Sequence, residues 1–233
     1  MSNSPLVSYT LISPNRSSPR NEPIDRITIH CVVGQITVES LGALFYQPNR
    51  QASSNYGIGK DGKIGLYVEA KDRSWCTSSR ANDNRAITIE VASETYSPYA
   101  VNAAAYASLL DLCTDICKRN GKSKLLWIGE KNATLSYVPK SDEMVLTVHR
   151  WFANKSCPGD WLFVRHGMIA KEVTQRLKED SLSDIKGHWA EDAIRWAVDK
   201  GIIKGYTDGT FKPENTVSRA ELVTILKRLE ECK

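Results

Sequence analysis

The sequence predicts an α/β fold: a mixed central sheet flanked by helices, followed by a small all-α helix–loop–helix module at the C-terminus. Three observations predict it. Runs dense in β-branched and apolar residues recur at RITIHCVV (26–33), AITIEVA (86–92) and KLLWIG (124–129), as buried strands do. Segments of helical period separate them, which suits a mostly parallel sheet. After the polar stretch KEDSLSD (178–184) the pattern changes to two short helices around a turn-rich loop. With 233 residues, 41% hydrophobic and 25% charged, the chain has room for one medium domain and a small second one.

Residues 1–25, rich in Ser, Pro, Asn and Arg, read as an extended arm. RITIHCVV is the first buried strand. VESLGALFYQP (38–48) reads as a helix closed by Pro48. YGIGKDGKIGLYV (56–68) reads as two short strands around an Asp61-Gly62 turn, a strong hairpin signal. AITIEVA is the next core strand, and NAAAYASLLDLCTDICKRNG (102–121) an amphipathic helix stopped by Gly121. KLLWIG follows as a strand. Residues 141–151 read as a helix with Ser141 as N-cap, and 161–179 as a last helix ending in charges. This gives one domain over 1–179, and a linker with a small module over 180–233. In that module, 190–200 carries an apolar stripe of Trp189, Ile194, Trp196, Ala197 and Val198, and Gly201 stops it. Ser218 with Glu221 three residues on is a capping box for the second helix. A unit of about 45 residues buries little core alone, so it should lean on a partner, on the first domain or on copies of itself.

The net charge of +4 suits an anionic polymer but does not argue for nucleic acid. No apolar run reaches the length of about 18 residues that a membrane span needs. The N-terminus lacks the apolar region of a secretory signal, so the chain is expected to be made in a cytoplasm and kept there unless something releases it. Six cysteines (31, 76, 113, 117, 157 and 232) are not a disulfide framework at this length, and reduced thiols or metal ligands are the better default. Cys113 and Cys117, one helical turn apart, read as small core residues.

The chemistry concentrates in a few places. TVHRWFANKSCPG (147–159) sets His149 and Cys157 eight residues apart, with Lys155 two before the cysteine. His30 ends the strand core RITIH. A catalytic zinc needs three protein ligands and one open position, and His30, His149 and Cys157 are the candidates. From the residues alone the alternatives stay open: His30 as a satisfied core histidine, Cys157 as a packed thiol or half of a disulfide. Glu90 sits inside the apolar run ITIEV. A carboxylate there is costly to bury unless paired or functional; the alternative is an edge-strand Glu facing solvent. His166 and His188 have no ligand-like neighbours and read as structural.

ITIHCVVG, SSNYGIGKDG, RSWC, NDNRAITIEVA and HRWFANKSCPG, in that order, resemble the type 2 family of zinc-dependent N-acetylmuramoyl-L-alanine amidases, shared by phage endolysins and peptidoglycan-recognition proteins. The resemblance covers about residues 24–175. It implies one zinc per chain held by His30, His149 and Cys157, and hydrolysis of the amide joining N-acetylmuramic acid to L-alanine. It implies Lys155 as the cation that stabilises the oxyanion and Glu90 as general acid/base. The other family arrangement places a tyrosine seven residues before the Asp-Gly turn; Ser54 stands there, with Tyr56 two residues out of register. Asn55, Tyr56, Trp75 and Asn84 occupy family-like positions flanking the cleft and are implied substrate contacts. Where many relatives have a histidine after that tryptophan, this chain has Cys76.

HWAEDAIRWAVDKGIIKGYTDGTFKPENTVSRAEL resembles a single S-layer homology repeat over 184–230. The resemblance implies binding to a secondary cell-wall polymer, with Arg219 as the residue that meets an anionic sugar. Such repeats usually come in threes, so one copy implies that three chains combine or that the unit caps the first domain. The function expected is therefore a peptidoglycan hydrolase of endolysin or autolysin type that reaches the wall after holin action or lysis. The alternatives are a peptidoglycan-binding protein without activity and a cytoplasmic amidase that recycles muropeptides. The three retained ligands count against the first and the wall-binding-like repeat against the second.

Overall fold

The computed structural model describes residues 2–180, 182–206 and 209–231. The chain divides into two compact units, Met1–Thr174 and Gln175–Lys233.

The first unit is built on a seven-stranded sheet. In chain order its strands and helices are β1 (Tyr9–Thr10), β2 (Arg16–Ser17), β3 (Arg26–Val33), α1 (Val38–Tyr46), β4 (Tyr56–Ile58), β5 (Ile64–Leu66), β6 (Arg73–Ser74), α2 (Arg80–Arg85), β7 (Ala86–Ser93), α3 (Ala103–Arg119), β8 (Lys124–Leu126), α4 (Lys131–Ser136), β9 (Glu143–Thr147) and α5 (Asp160–Phe163), and α6 (His166–Asp180) begins in it. The sheet order is β1-β5-β4-β7-β3-β9-β8, with β2 and β6 forming a separate ribbon. Only the β4–β5 hairpin pair is antiparallel in the large sheet. The sheet is thus mixed and mostly parallel, as the sequence predicts.

Register decides what each face carries. His30 of β3 lies beside Glu90 of β7, and Glu90 beside Gly57 of β4. Neighbours in register point the same way, and alternate residues point the opposite way. One face therefore presents Thr28, His30, Thr88 and Glu90. The other presents Ile27, Ile29, Ile87 and Ile89, all essentially inaccessible. Helix α3 lies against β4 and β7, and buries Leu109, Leu112, Cys113 and Ile116. The polar face is the one on which α1 and α2 pack, Val32 lying against Leu41 and Tyr67.

Helix starts follow the capping rule. Thr37, Ser79 and Asn102 each accept a backbone N–H in the first turn of α1, α2 and α3. Gly121, just beyond α3, has φ +66°, the left-handed stop its sequence position calls for.

Two expectations are corrected, and the arm gains partners. Residues 141–151 are not a helix: Glu143–Thr147 is β9, every residue of it buried between β3 and β8. A strand covered on both faces shows no alternation, so MVLT reads like a helix core. Residues 161–179 are interrupted at Val164, which separates α5 from α6. The N-terminal arm is laid into the fold: β1 pairs with β5 and β2 with β6. Arg20, 6% exposed, donates to the carbonyls of Ala70, Asp72, Asn84 and Ala86. Helices α2 and α4 have no counterpart in the sequence reading.

In the second unit, α7 (Glu191–Asp199) and α8 (Arg219–Glu231) form the helix pair. Leu182, Ile185 and Ile194 make its core, with Val198 and Phe211 against them. The expected apolar stripe is only partly used. Ile194 is buried, whereas Trp189 is 89% and Trp196 53% exposed. The capping box is formed: the Ser218 hydroxyl accepts from Glu221 N–H while Ser218 N–H donates to the Glu221 carboxylate. The Asp184 carboxylate accepts from the backbone of Phe211 and Lys212 and pins the turn-rich loop. Thr207 and Asp208 of that loop, and Cys232, lie outside the described residues.

Candidate metal centre

His30, His149 and Cys157 converge from three separate segments, their ligand-type atoms all within 4.8 Å of one another. His30 comes from the middle of β3. His149 opens a single 3-10 turn directly after β9, and the β3–β9 register carries that turn to His30. The two rings stand 5.0 Å apart, tilted by 58°. Cys157 Sγ lies 3.3 Å from His30 Nδ1. Its loop is closed by backbone: Arg150 N–H donates to the Cys157 carbonyl, and Gly159 N–H to that of Ser156. Gly159 has φ +79°, and a Cβ there would stand 2.9 Å from Tyr99 Cβ and 3.0 Å from the Pro98 carbonyl oxygen. Glycine after the proline is what lets this loop close against residues 98–99.

Glu90 stands beside the three, its Oε1 3.8 Å from His30 Nδ1 and 3.9 Å from Cys76 Sγ. It lies on a central strand with β4 and β3 on either side, so the solvent-facing edge alternative does not hold. Its Oε2 is shut off from solvent and has no hydrogen-bond partner among the described residues. Burial first, and the Cys31 thiol second, push its carboxyl up to about 8.

The same burial acts on the other groups. His30 is driven well below the usual imidazole value by burial, with His149 adding to it. His149 is lowered by burial and by the nearby Lys155 ammonium. The Cys157 thiol is pushed up by its contact with Cys31, by burial and by Glu90. Neutral imidazoles are the form that ligates a cation, and a cation is what would draw the thiol into its thiolate form. The donor set fits zinc. Ligand bonds of about 2.0–2.3 Å in a tetrahedron put nitrogen and sulfur about 3.6 Å apart, close to the 3.3 Å between His30 and Cys157.

The remaining expected site residues fall in two groups. Lys155 is exposed on the loop between His149 and Cys157, at the rim of the cluster. Asn55, Tyr56, Trp75 and Asn84 are held in the fold in different ways. Asn55 is fully buried, its amide donating to the carbonyls of Val68 and Glu69 and its oxygen accepting from Thr88 N–H. Tyr56 pairs with Ile89, so it points to the opposite face, where its buried hydroxyl accepts from Ser4 N–H. Trp75, half-buried, donates its indole N–H to Ser17 of the arm. Asn84 is buried in α2, ahead of the strand that reaches Glu90 after about 13 Å. Arg219 is exposed at the first turn of α8, in the second unit. His166 is buried with Nδ1 2.8 Å from the Leu162 carbonyl, and His188 Nε2 is 2.6 Å from Glu214.

Sequence reasoning missed the polar layer under the cluster. Thr28 and Thr147 hydroxyls meet at 2.7 Å, and Asn82 bridges them, donating to Thr28 and accepting from Thr147. This ties β3, β9 and α2 together directly beneath His30. The Asp83 carboxylate accepts from Cys76 and Thr77 N–H and fixes the Cys76 loop over Glu90. One signal was available: R-I-T-I-H and A-I-T-I-E share the same alternation, so each polar pair lines one face.

An α/β sheet carrying a partly buried imidazole–imidazole–thiol cluster with a carboxylate alongside defines a candidate metal-dependent hydrolase. The family model for N-acetylmuramoyl-L-alanine amidase matches residues 20–160, and the chain belongs to that family. A model for the S-layer homology domain matches residues 181–223. The C-terminal part is 51% identical over 47 residues to a cellulosome-anchoring protein of Acetivibrio thermocellus, a match covering 20% of this chain and 10% of that protein. The chain thus spans about a tenth of the length of that relative. Among solved structures, an endolysin N-acetylmuramoyl-L-alanine amidase, LysCS, from Clostridium intestinale is 18% identical with a TM-score of 0.47, covering 69% of this chain and 91% of that one. The catalytic domain of XlyA is 13% identical with a TM-score of 0.49, covering 71% and 97%. No helix among the described residues is long and apolar enough to cross a membrane.

Proposed function

We propose that the protein is a zinc-dependent N-acetylmuramoyl-L-alanine amidase acting on peptidoglycan, with catalysis in the first unit and attachment to a cell-wall polymer in the second. The observation that carries this reading is the convergence of His30, His149 and Cys157 beside a buried carboxylate oxygen of Glu90 that has no partner among the described residues. His30, His149 and Cys157 would hold one zinc per chain, and zinc so bound lowers the pKa of a water toward about 7 and polarises the substrate carbonyl.

The chain's own residues supply the rest. Glu90 takes a proton from the attacking water and returns one to the leaving amine of L-alanine. Its raised pKa suits the protonated half of that cycle, and a divalent charge nearby favours the ionised half. Lys155, on the loop between His149 and Cys157, offers an ammonium to the oxygen that becomes negative as the amide carbon turns tetrahedral. The Thr28–Asn82–Thr147 layer holds the His30 and His149 strands in register, so the imidazoles are placed before substrate arrives. In the second unit, Arg219 is the proposed contact to an anionic wall sugar.

Zinc analysis of protein purified without added metal, coupled to digestion of purified sacculi, tests the reading. About one zinc per chain is expected, with digestion lost to a chelator and restored by zinc. Metal-free protein that leaves sacculi intact overturns it in favour of a binding role. Digestion of soluble muropeptides alone overturns the wall-lytic part.

A further inference from the structure

The centre contains more donors than one ion needs. His30, Cys76 and Glu90 form a second cluster whose ligand-type atoms all lie within 4.8 Å of one another. Cys76 Sγ is 3.9 Å from Glu90 Oε1, which is 3.8 Å from His30 Nδ1. A tetrahedral ion would set such donors about 3.3–3.6 Å apart, so small side-chain adjustments close the site. The Cys76 loop is held in place by backbone donation to Asp83 and by Trp75 N–H donating to Ser53. Glu90 Oε2 is buried with no partner among the described residues.

The geometry points to a second metal seat, His30–Cys76–Glu90, that takes a thiophilic divalent cation such as zinc, cobalt or cadmium in competition with the His30–His149–Cys157 seat. One imidazole, one thiolate and one carboxylate are a donor set such ions accept. His30 Nδ1 faces both sets, 3.3 Å from Cys157 and 3.8 Å from Glu90. One nitrogen lone pair binds one ion, so the seats exclude each other. An ion in the second seat also occupies Glu90, the residue assigned to proton transfer. The second seat is therefore a resting position of the metal. This inference rests on the proposed assignment of the first seat.

Cobalt(II) tests it on the full chain, because a thiolate on cobalt gives a near-ultraviolet charge-transfer band that an imidazole or carboxylate does not. Metal-stripped wild type and the variants Cys157→Ser, Cys76→Ser and Cys157→Ser/Cys76→Ser are titrated with cobalt and their absorption and bound metal compared. Cys157→Ser should keep one cobalt and a thiolate band, and the double variant should lose the band to baseline. A band lost in Cys157→Ser but kept in Cys76→Ser overturns the second seat and leaves the first standing. A band lost in Cys76→Ser but kept in Cys157→Ser overturns the first seat and leaves the second. Cobalt absent from every protein overturns both. Should Cys157→Ser unfold by circular dichroism, His149→Ala replaces it as the background. There, adding Cys76→Ser should weaken the band, and an unchanged band overturns the proposal.

Discussion

Replacing Gly159 by alanine tests whether the loop that presents Cys157 depends on a close backbone approach. Two costs add. A residue with a Cβ at φ +79° pays about 1–2 kcal/mol for the left-handed conformation. The new Cβ would stand 2.9 Å from Tyr99 Cβ and 3.0 Å from the Pro98 carbonyl, and such overpacking costs about 1–3 kcal/mol. Tyr99 has little freedom to retreat, since it is itself at φ +62°, and the Pro98 carbonyl accepts from Trp161 N–H. The total is roughly 2–5 kcal/mol. For a unit of this size, that lowers the melting temperature by about 4–20 °C. Gly121 provides the control, because it also has a positive φ of +66° but nothing lies within 4 Å of the added methyl. Gly121→Ala should cost only the conformational part, about 1–2 kcal/mol. Denaturation of the metal-free proteins measures both. Chelator competition should further show zinc bound about 10–100-fold more weakly by Gly159→Ala, as when outer support of a ligand is lost. Equal destabilisation by the two substitutions, within about 0.5 kcal/mol, would refute the close-approach argument.

Glu90→Gln keeps shape while removing the proton carrier, so turnover on sacculi should fall about a hundredfold or more with zinc content unchanged; full activity would reassign the role. Lys155→Ala should lower kcat by about 10²–10³-fold, the usual cost of one oxyanion donor, again with zinc retained; a change in KM alone would make Lys155 a binding residue. His166, held near pKa 4 by burial against an ordinary 6.5, stays neutral in the folded state where the unfolded chain takes up a proton. Its contribution is complete above about pH 6.5 and is lost as pH falls toward 4, by about 3 kcal/mol at 1.4 kcal/mol per pH unit. Urea unfolding of wild type and His166→Asn at pH 7 and pH 4.5 should show the wild type losing more; parallel losses would contradict this.

The central strands were legible because β3 and β7 concentrate β-branched residues, and α1 and α3 because polar caps and apolar spacing agree. β9 was not, since burial on both faces erases the alternation that separates strand from helix. The convergent trio His30, His149 and Cys157 could be named from ordered motifs, but the residues flanking it could not be sorted. Asn55 and Tyr56 belong to the motif SSNYGIGKDG and Trp75 to RSWC, yet backbone pairing spends the Asn55 amide, turns Tyr56 to the opposite face and docks Trp75 on the arm. Those outcomes depend on register and on strands far away in the chain. Asn82 and Thr147 were invisible for the same reason: an asparagine in NDNR gains its role only when β9 arrives beside β3.

That arrival has a kinetic meaning. Thr28 and Thr147 meet although they stand 119 positions apart in the chain, and the strands that carry them run parallel, so the pairing closes a long loop and comes late in folding. A chain growing from the ribosome has His30 in place early, but the His30–His149–Cys157 set is incomplete until residue 157 has emerged and β9 has inserted. Assembly of the proposed first seat is thereby coupled to completion of the fold. On the proposed reading, a chain interrupted before residue 157 lacks the thiol of the first seat and should leave sacculi intact.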